Sequence, residues 1–102
     1  MPDSDWPFDQ PPNCAVITLR SIVFDGATIL HVTHDADDHG WQFLSGGSAN
    51  VEDASVVSLK EIVALDPTVA EVADLPPGWQ GRRRSRNDPW VRSKQTAADS
   101  RG

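Results

Sequence analysis

The chain has 102 residues, 38% of them hydrophobic, and 15 acidic against 9 basic side chains give a net charge of −6. That length holds one small domain, and no apolar run approaches the ~18 residues that a membrane span requires. The acidic opening Met1-Pro2-Asp3-Ser4-Asp5 is unlike a secretory leader, and the lone Cys14 excludes an internal disulfide framework or a multi-cysteine zinc site. The expectation is therefore a cytoplasmic protein.

Residues 1–13 contain four prolines and three aspartates, with Trp6 and Phe8 as their only large apolar groups. They read as a disordered or loosely packed arm, because so little apolar surface hardly offsets the entropy of ordering. Residues 14–93 read as a single α+β domain, and residues 94–102, polar and without periodicity, as a disordered tail.

Residues 15–24 are rich in β-branched side chains, and Asp25-Gly26 separates them from a second such run at 27–33. Asp-Gly between two β-rich runs predicts a hairpin with a type I′ turn. In that register Ile17, Leu19, Val23, Leu30 and Val32 share a core face. Thr18, Arg20, His31 and Thr33 take the other, with Ile22, Phe24 and Ile29 near the turn. Ser21 fits that core layer poorly, so a bulge or break near Arg20-Ser21 is an alternative.

Residues 34–40 form a polar turn, residues 41–45 a third strand closed by Gly46-Gly47, and residues 48–54 a loop. Ser58-Leu59-Lys60-Glu61 is a capping box at a helix start, with Leu59, Ile62 and Val63 on one helical face. Asp66-Pro67 starts a second short helix, or kinks one longer helix, with Val69, Val72 and Ala73 as its apolar stripe. Residues 79–84 and 89–92 suggest a terminal hairpin turning at 85–88, anchored by Trp79 and Trp90 with its arginines facing water. The fold class expected is α+β: a mostly antiparallel sheet of four or five strands, with one kinked or two short helices on one face.

Charge is unevenly spread. Residues 1–74 hold 13 acids against Arg20 and Lys60, whereas residues 75–102 hold seven bases against two acids. This split reads either as self-complementation or as two surfaces of opposite sign, one of which docks a partner. Asp35, Asp37 and Asp38 concentrate the negative charge and Trp41 is a candidate anchor beside them, which together suit a basic protein partner. Arg82, Arg83, Arg84 and Arg86, with Trp79 nearby, carry the alternative of a small RNA- or nucleotide-binding regulator. The acidic body opposes that encounter, and an edge-strand guard and salt bridging to Asp35, Asp37 and Asp38 are further readings of the arginines.

Catalytic and metal signals are weak. His31, His34, Asp35, Asp37, Asp38 and His39 crowd together, but on one strand His31 and His34 point to opposite faces. The Asp35-x-Asp37-x-His39-Gly40 run mimics a calcium loop, yet its twelfth position is Gly46 where a bidentate glutamate belongs. Cys14 lacks a nucleophile motif, and Ser45-Gly46-Gly47-Ser48 lacks the lysine and spacing of a phosphate loop. No catalytic residue, metal or cofactor is assigned, and the expected state is a monomer or weak homodimer.

The order of these features resembles a family of small bacterial proteins catalogued as domain of unknown function 2185, some members of which are grouped with immunity protein 33 of polymorphic toxin systems. The resemblance rests on Gly40-Trp41-Gln42-Phe43-Leu44-Ser45-Gly46, then Leu59 and Ile62, Asp66-Pro67 and Leu75-Pro76-Pro77-Gly78. It spans about residues 14–84. The chain departs from the family in Gly47-Ser48, where relatives tend to carry acids, and in Trp79-Gln80-Gly81-Arg82-Arg83-Arg84, where they tend to have an aromatic and an acid before arginine. The resemblance implies a toxin-neutralising binding role and supplies no catalytic residues.

Overall fold

The computed structural model describes residues 6–8, 10–37, 39–45 and 53–94. Six strands form one sheet: β1 (Ala15–Leu19), β2 (His31–His34), β3 (Trp41–Leu44), β4 (Ala54–Ser58), β5 (Trp79–Arg82) and β6 (Val91–Lys94). Their order is β4-β1-β3-β2-β5-β6; β1 and β3 run parallel and every other neighbouring pair is antiparallel. The α+β class holds, with six strands rather than four or five.

The added strand is β4, in a stretch the sequence left partly as loop. It pairs along its whole length with β1, from Ala15 opposite Ser58 to Leu19 opposite Ala54. Its final residue, Ser58, then caps α2 (Leu59–Leu65), accepting from the Glu61 amide at 3.2 Å as the capping box requires. Asp66 next caps a 3-10 helix over Pro67–Val72 and accepts from the Thr68 amide at 3.0 Å. Two short helices therefore follow β4 rather than one kinked helix.

The hairpin expected at Asp25-Gly26 does not form. The chain leaves β1 at Leu19 and winds into α1 (Arg20–Asp25), the break suspected at Arg20-Ser21. Gly26, at φ 76°, closes this helix, and the Gly26 and Ala27 amides both donate to the Ser21 carbonyl, the latter at 3.0 Å. A left-handed glycine serves a helix end as readily as a type I′ turn, so Asp-Gly did not discriminate between them. The winding buries Ile22 and spares Ser21 a place in the core, while Phe24 is left exposed.

Losing the hairpin also changes which face of β1 is inward. Pairing of Ile17 with Gln42 aligns Val16 and Thr18 with Trp41 and Phe43, and Val32 with His34 completes that face on β2. Val16, Thr18, Val32, Trp41 and Phe43 are buried, whereas Ile17, expected in the core, is 40% exposed. Thr18 belongs there because its hydroxyl donates to the Phe43 carbonyl at 2.8 Å. Leu59, Ile62, Val69, Val72 and Leu75 cover this face from the helical side.

Phe8, read as part of a loose arm, is 4% exposed and sits edge-on to Trp41, with ring centroids 5.1 Å apart. The terminal hairpin does form, as β5 and β6, with an Asp88-to-Ser85 backbone bond in its turn. Asp38, residues 46–52 and the tail from 95 lie outside the described residues.

Candidate functional site

The acidic turn joins β2 to β3. Its backbone closes through the Asp35 amide donating to the Gly40 carbonyl at 2.8 Å, and the Asp35 carboxylate accepts from the Asp37 amide at 2.7 Å. The latter is an Asx turn, which fixes the loop locally. His39 takes the left-handed conformation at φ 59°, which histidine adopts more readily than most non-glycine residues. Asp37 and His39 are exposed and Asp35 is half-buried. Among the described residues neither Asp35 nor Asp37 has an ion-pair partner.

Trp41 is not the exposed anchor that this turn would need. It is 2% exposed, stacked on His34 with centroids 4.1 Å apart, and its indole N–H donates to Gln10 Oε1 at 2.9 Å. The reason is strand parity: Trp41 and Phe43 share the inward face of β3, which the short run Trp-Gln-Phe-Leu did not orient by itself.

The arginine cluster divides by role. Arg83, expected to face water, is 7% exposed. Its Nη2 pairs with Asp66 Oδ2 at 2.7 Å and its Nε donates to the Ile29 carbonyl at 3.0 Å. Nη1 reaches the Thr68 hydroxyl at 2.9 Å and the Arg86 carbonyl at 3.1 Å. The guanidinium also lies 4.1 Å from the Trp90 ring centroid. One side chain thus ties the segment before β2, the 3-10 helix start and the β5–β6 turn, a task suited to the planar fork of arginine. Arg86 adds a looser 3.7 Å contact to Asp66, and Arg92 pairs with Asp74 at the surface. Arg82 and Arg84 are exposed and Trp79 is half-buried on the inward face of β5. The four arginines and Trp79 do not make one nucleic-acid platform.

His31 and His34 point to opposite faces, as their spacing required. His31 lies on the outer face, where its Nε2 meets Gln80 Oε1 at 2.9 Å, and Gln80 in turn donates to Ser93 Oγ at 3.3 Å. Burial lowers the His31 pKa; the Gln80 hydrogen bond opposes this and the charge of Arg82 adds to it. His34 is buried on the inward face, and its Nδ1 donates to the Leu75 carbonyl at 2.7 Å. It lines a cleft of about 260 Å³ with Gln10, His39, Trp41, Asp74 and the Pro76-Pro77 stretch. No local pattern pointed to Gln10 or Asp74 here. His34 was within reach, since it stands two residues from the inward-facing Val32. Cys14 is half-buried, packs against the core and has its thiol 3.6 Å from the Ala15 carbonyl. Among the described residues no three histidine, cysteine or carboxylate side chains converge as a metal set, and no helix is long and apolar enough to cross a membrane.

This is an α+β domain with a six-stranded, mostly antiparallel sheet, helices on its inner face and an acidic turn at one end. No family model, curated protein or solved structure matches the chain.

Proposed function

We propose that the chain is a non-catalytic protein-binding domain of the immunity type, which silences a basic, toxin-like partner by occupying its surface. One observation carries this reading. Arg83 is committed to a buried pair with Asp66, which Arg86 also approaches, and Arg92 pairs with Asp74 at the surface, while among the described residues the Asp35–Asp37 turn has no ion pair. A fixed acidic loop on an acidic body steers a basic partner toward it and accelerates association. The arginine-based RNA reading loses its central residue to the buried pair with Asp66.

The test is capture from native-host lysate by wild type and by a D35K/D37K variant at low and high salt, followed by purification of the captured protein and reconstitution. A single basic protein whose activity is blocked in a one-to-one complex, released by salt and lost in the variant, is the expected result. Equal capture by the variant, or retention of RNA instead of protein, overturns the reading.

A further inference from the structure

The cleft beside the acidic turn contains a buried acceptor with nothing to accept. His34 is 6% exposed, and because a carbonyl oxygen only accepts, its bond to Leu75 makes Nδ1 the donor. In a neutral imidazole the other nitrogen is then an acceptor. That atom, Nε2, is buried and lacks any hydrogen-bond partner among the described residues. Such orphans are rare in folded proteins and call for an explanation. A purely structural ring stacked on Trp41 would have no use for the nitrogen.

The surroundings indicate what would satisfy it. His34, His39 and Trp41 line the cleft together with Asp74 and Pro76-Pro77. Its lining includes His34, which carries the unpartnered acceptor, Asp74, whose carboxylate is a second, and Gln10, whose Oε1 already accepts from the Trp41 indole. Asp74 is 74% exposed, and its surface pair with Arg92 is of a kind that contributes little and exchanges readily. The prolines add an apolar wall. Trp41 is already stacked by His34 and met edge-on by Phe8, which leaves its ring unavailable as a stacking platform for a planar ligand. At about 260 Å³ the space falls below the roughly 300–1,000 Å³ of pockets that hold drug-sized molecules and suits a smaller group. Two acceptors beside an apolar wall complement a donor-only head on an alkyl stem, which describes lysine and arginine. His39 belongs both to the acidic turn and to the cleft, so the two features are contiguous.

We infer that this cleft receives one lysine or arginine side chain of the basic partner, whose N–H groups bond His34 Nε2 and Asp74 while its stem lies against Pro76-Pro77. This rests on the protein-binding reading above and names the anchor that Trp41 does not provide. The cation displaces Arg92 from Asp74.

The experiment uses the full chain labelled with ¹⁵N at histidine and tryptophan, titrated with the N-acetyl methylamides of lysine, arginine and norleucine. Saturable shifts of the His34 Nε2 resonance and of the Trp41 indole are expected with the two cations, with norleucine at least tenfold weaker. Asp74→Asn, at an exposed position, should weaken cation binding at least fivefold at unchanged Tm. His34→Phe should abolish it; if that variant fails to fold, the His34 shift and the Asp74→Asn comparison decide. An unmoved His34 resonance, equal binding of norleucine, or an unaffected Asp74→Asn overturns the inference. Salt-sensitive capture of a partner by a chain that binds no cation removes the cleft alone. Cation binding without any protein partner removes the parent reading instead.

Discussion

Arg83 shows how one side chain can change the meaning of a motif. In a run of Arg82-Arg83-Arg84-Ser85-Arg86 it looks like surface charge, yet four hydrogen bonds and the Trp90 ring hold it in the interior. Its partner Asp66 is 4% exposed and also accepts from the Thr68 amide and hydroxyl, so the carboxylate is fully used only with the guanidinium present. Removing one member of a buried ion pair strands the other charge and typically costs about 3–5 kcal/mol. Arg83→Ala should therefore lose stability of that order in urea denaturation, and Arg83→Lys should not restore it, because an ammonium cannot serve three elements at once. Arg82→Ala, on the exposed neighbour, should stay within about 0.5 kcal/mol. Equal effects at the two positions would show that the buried clamp contributes nothing. The sequence revealed one half of this pair. Asp66-Pro67 announced a helix cap, but no local rule connects it to an arginine seventeen residues away.

At the scale of elements, the 3-10 helix and β5 approach closely because Gly81 has no side chain. Gly81 lies on the inward face of β5, and a Cβ added there would meet Val72 Cγ1 at 3.1 Å and Trp90 Cε3 at 3.5 Å. Both neighbours are hemmed in, Val72 by the buried core and Trp90 by its contact with Arg83 and its bond to the Thr68 carbonyl. Overpacking at such a contact costs typically 1–3 kcal/mol. Gly81→Ala should lose about that much in thermal or chemical unfolding, and a neutral result would mean that the helix gives way. Helix starts were legible in the sequence, since Ser58 and Asp66 act through bonds within three residues. The strand β4 was not, because Ala-Ser-Val-Val-Ser carries no clear alternation and is fixed by its partner β1. Asp25-Gly26 misled for the opposite reason, offering one left-handed glycine to two competing uses.

Over the whole molecule the inward face of the sheet is closed from two directions, by the helices and by the N-terminal segment. Phe8 touches both Trp41 and Phe43 and is as buried as the central core, although the composition around it favours a loose arm. Trp6 follows it inward and donates its indole N–H to the Gln10 carbonyl at 2.6 Å. Truncating a buried phenylalanine costs about 3–5 kcal/mol, against a total of roughly 5–15 kcal/mol for a domain. Phe8→Ala should accordingly lower the Tm by more than about 10 °C, since each kcal/mol is worth about 4–8 °C at this size. A drop of only a degree or two would return residues 6–8 to the loose arm. The same segment supplies Gln10 to Trp41 and to the cleft, so the variant also tests whether the cleft is assembled independently of this strap.

The sequence by itself determined the class of fold, the two helix caps, the opposite facing of His31 and His34 and the acidic turn. All of these follow from interactions spanning a few residues or from the period of the backbone. Only the tertiary structure decided which face of β1 points inward, that Trp41 is core, and that Arg83 is a buried clamp. It also decided that Gln10, His34 and Asp74 meet around one cleft. Those outcomes depend on pairing between distant segments, where a one-residue change of register inverts every side chain and a single buried charge must find its partner.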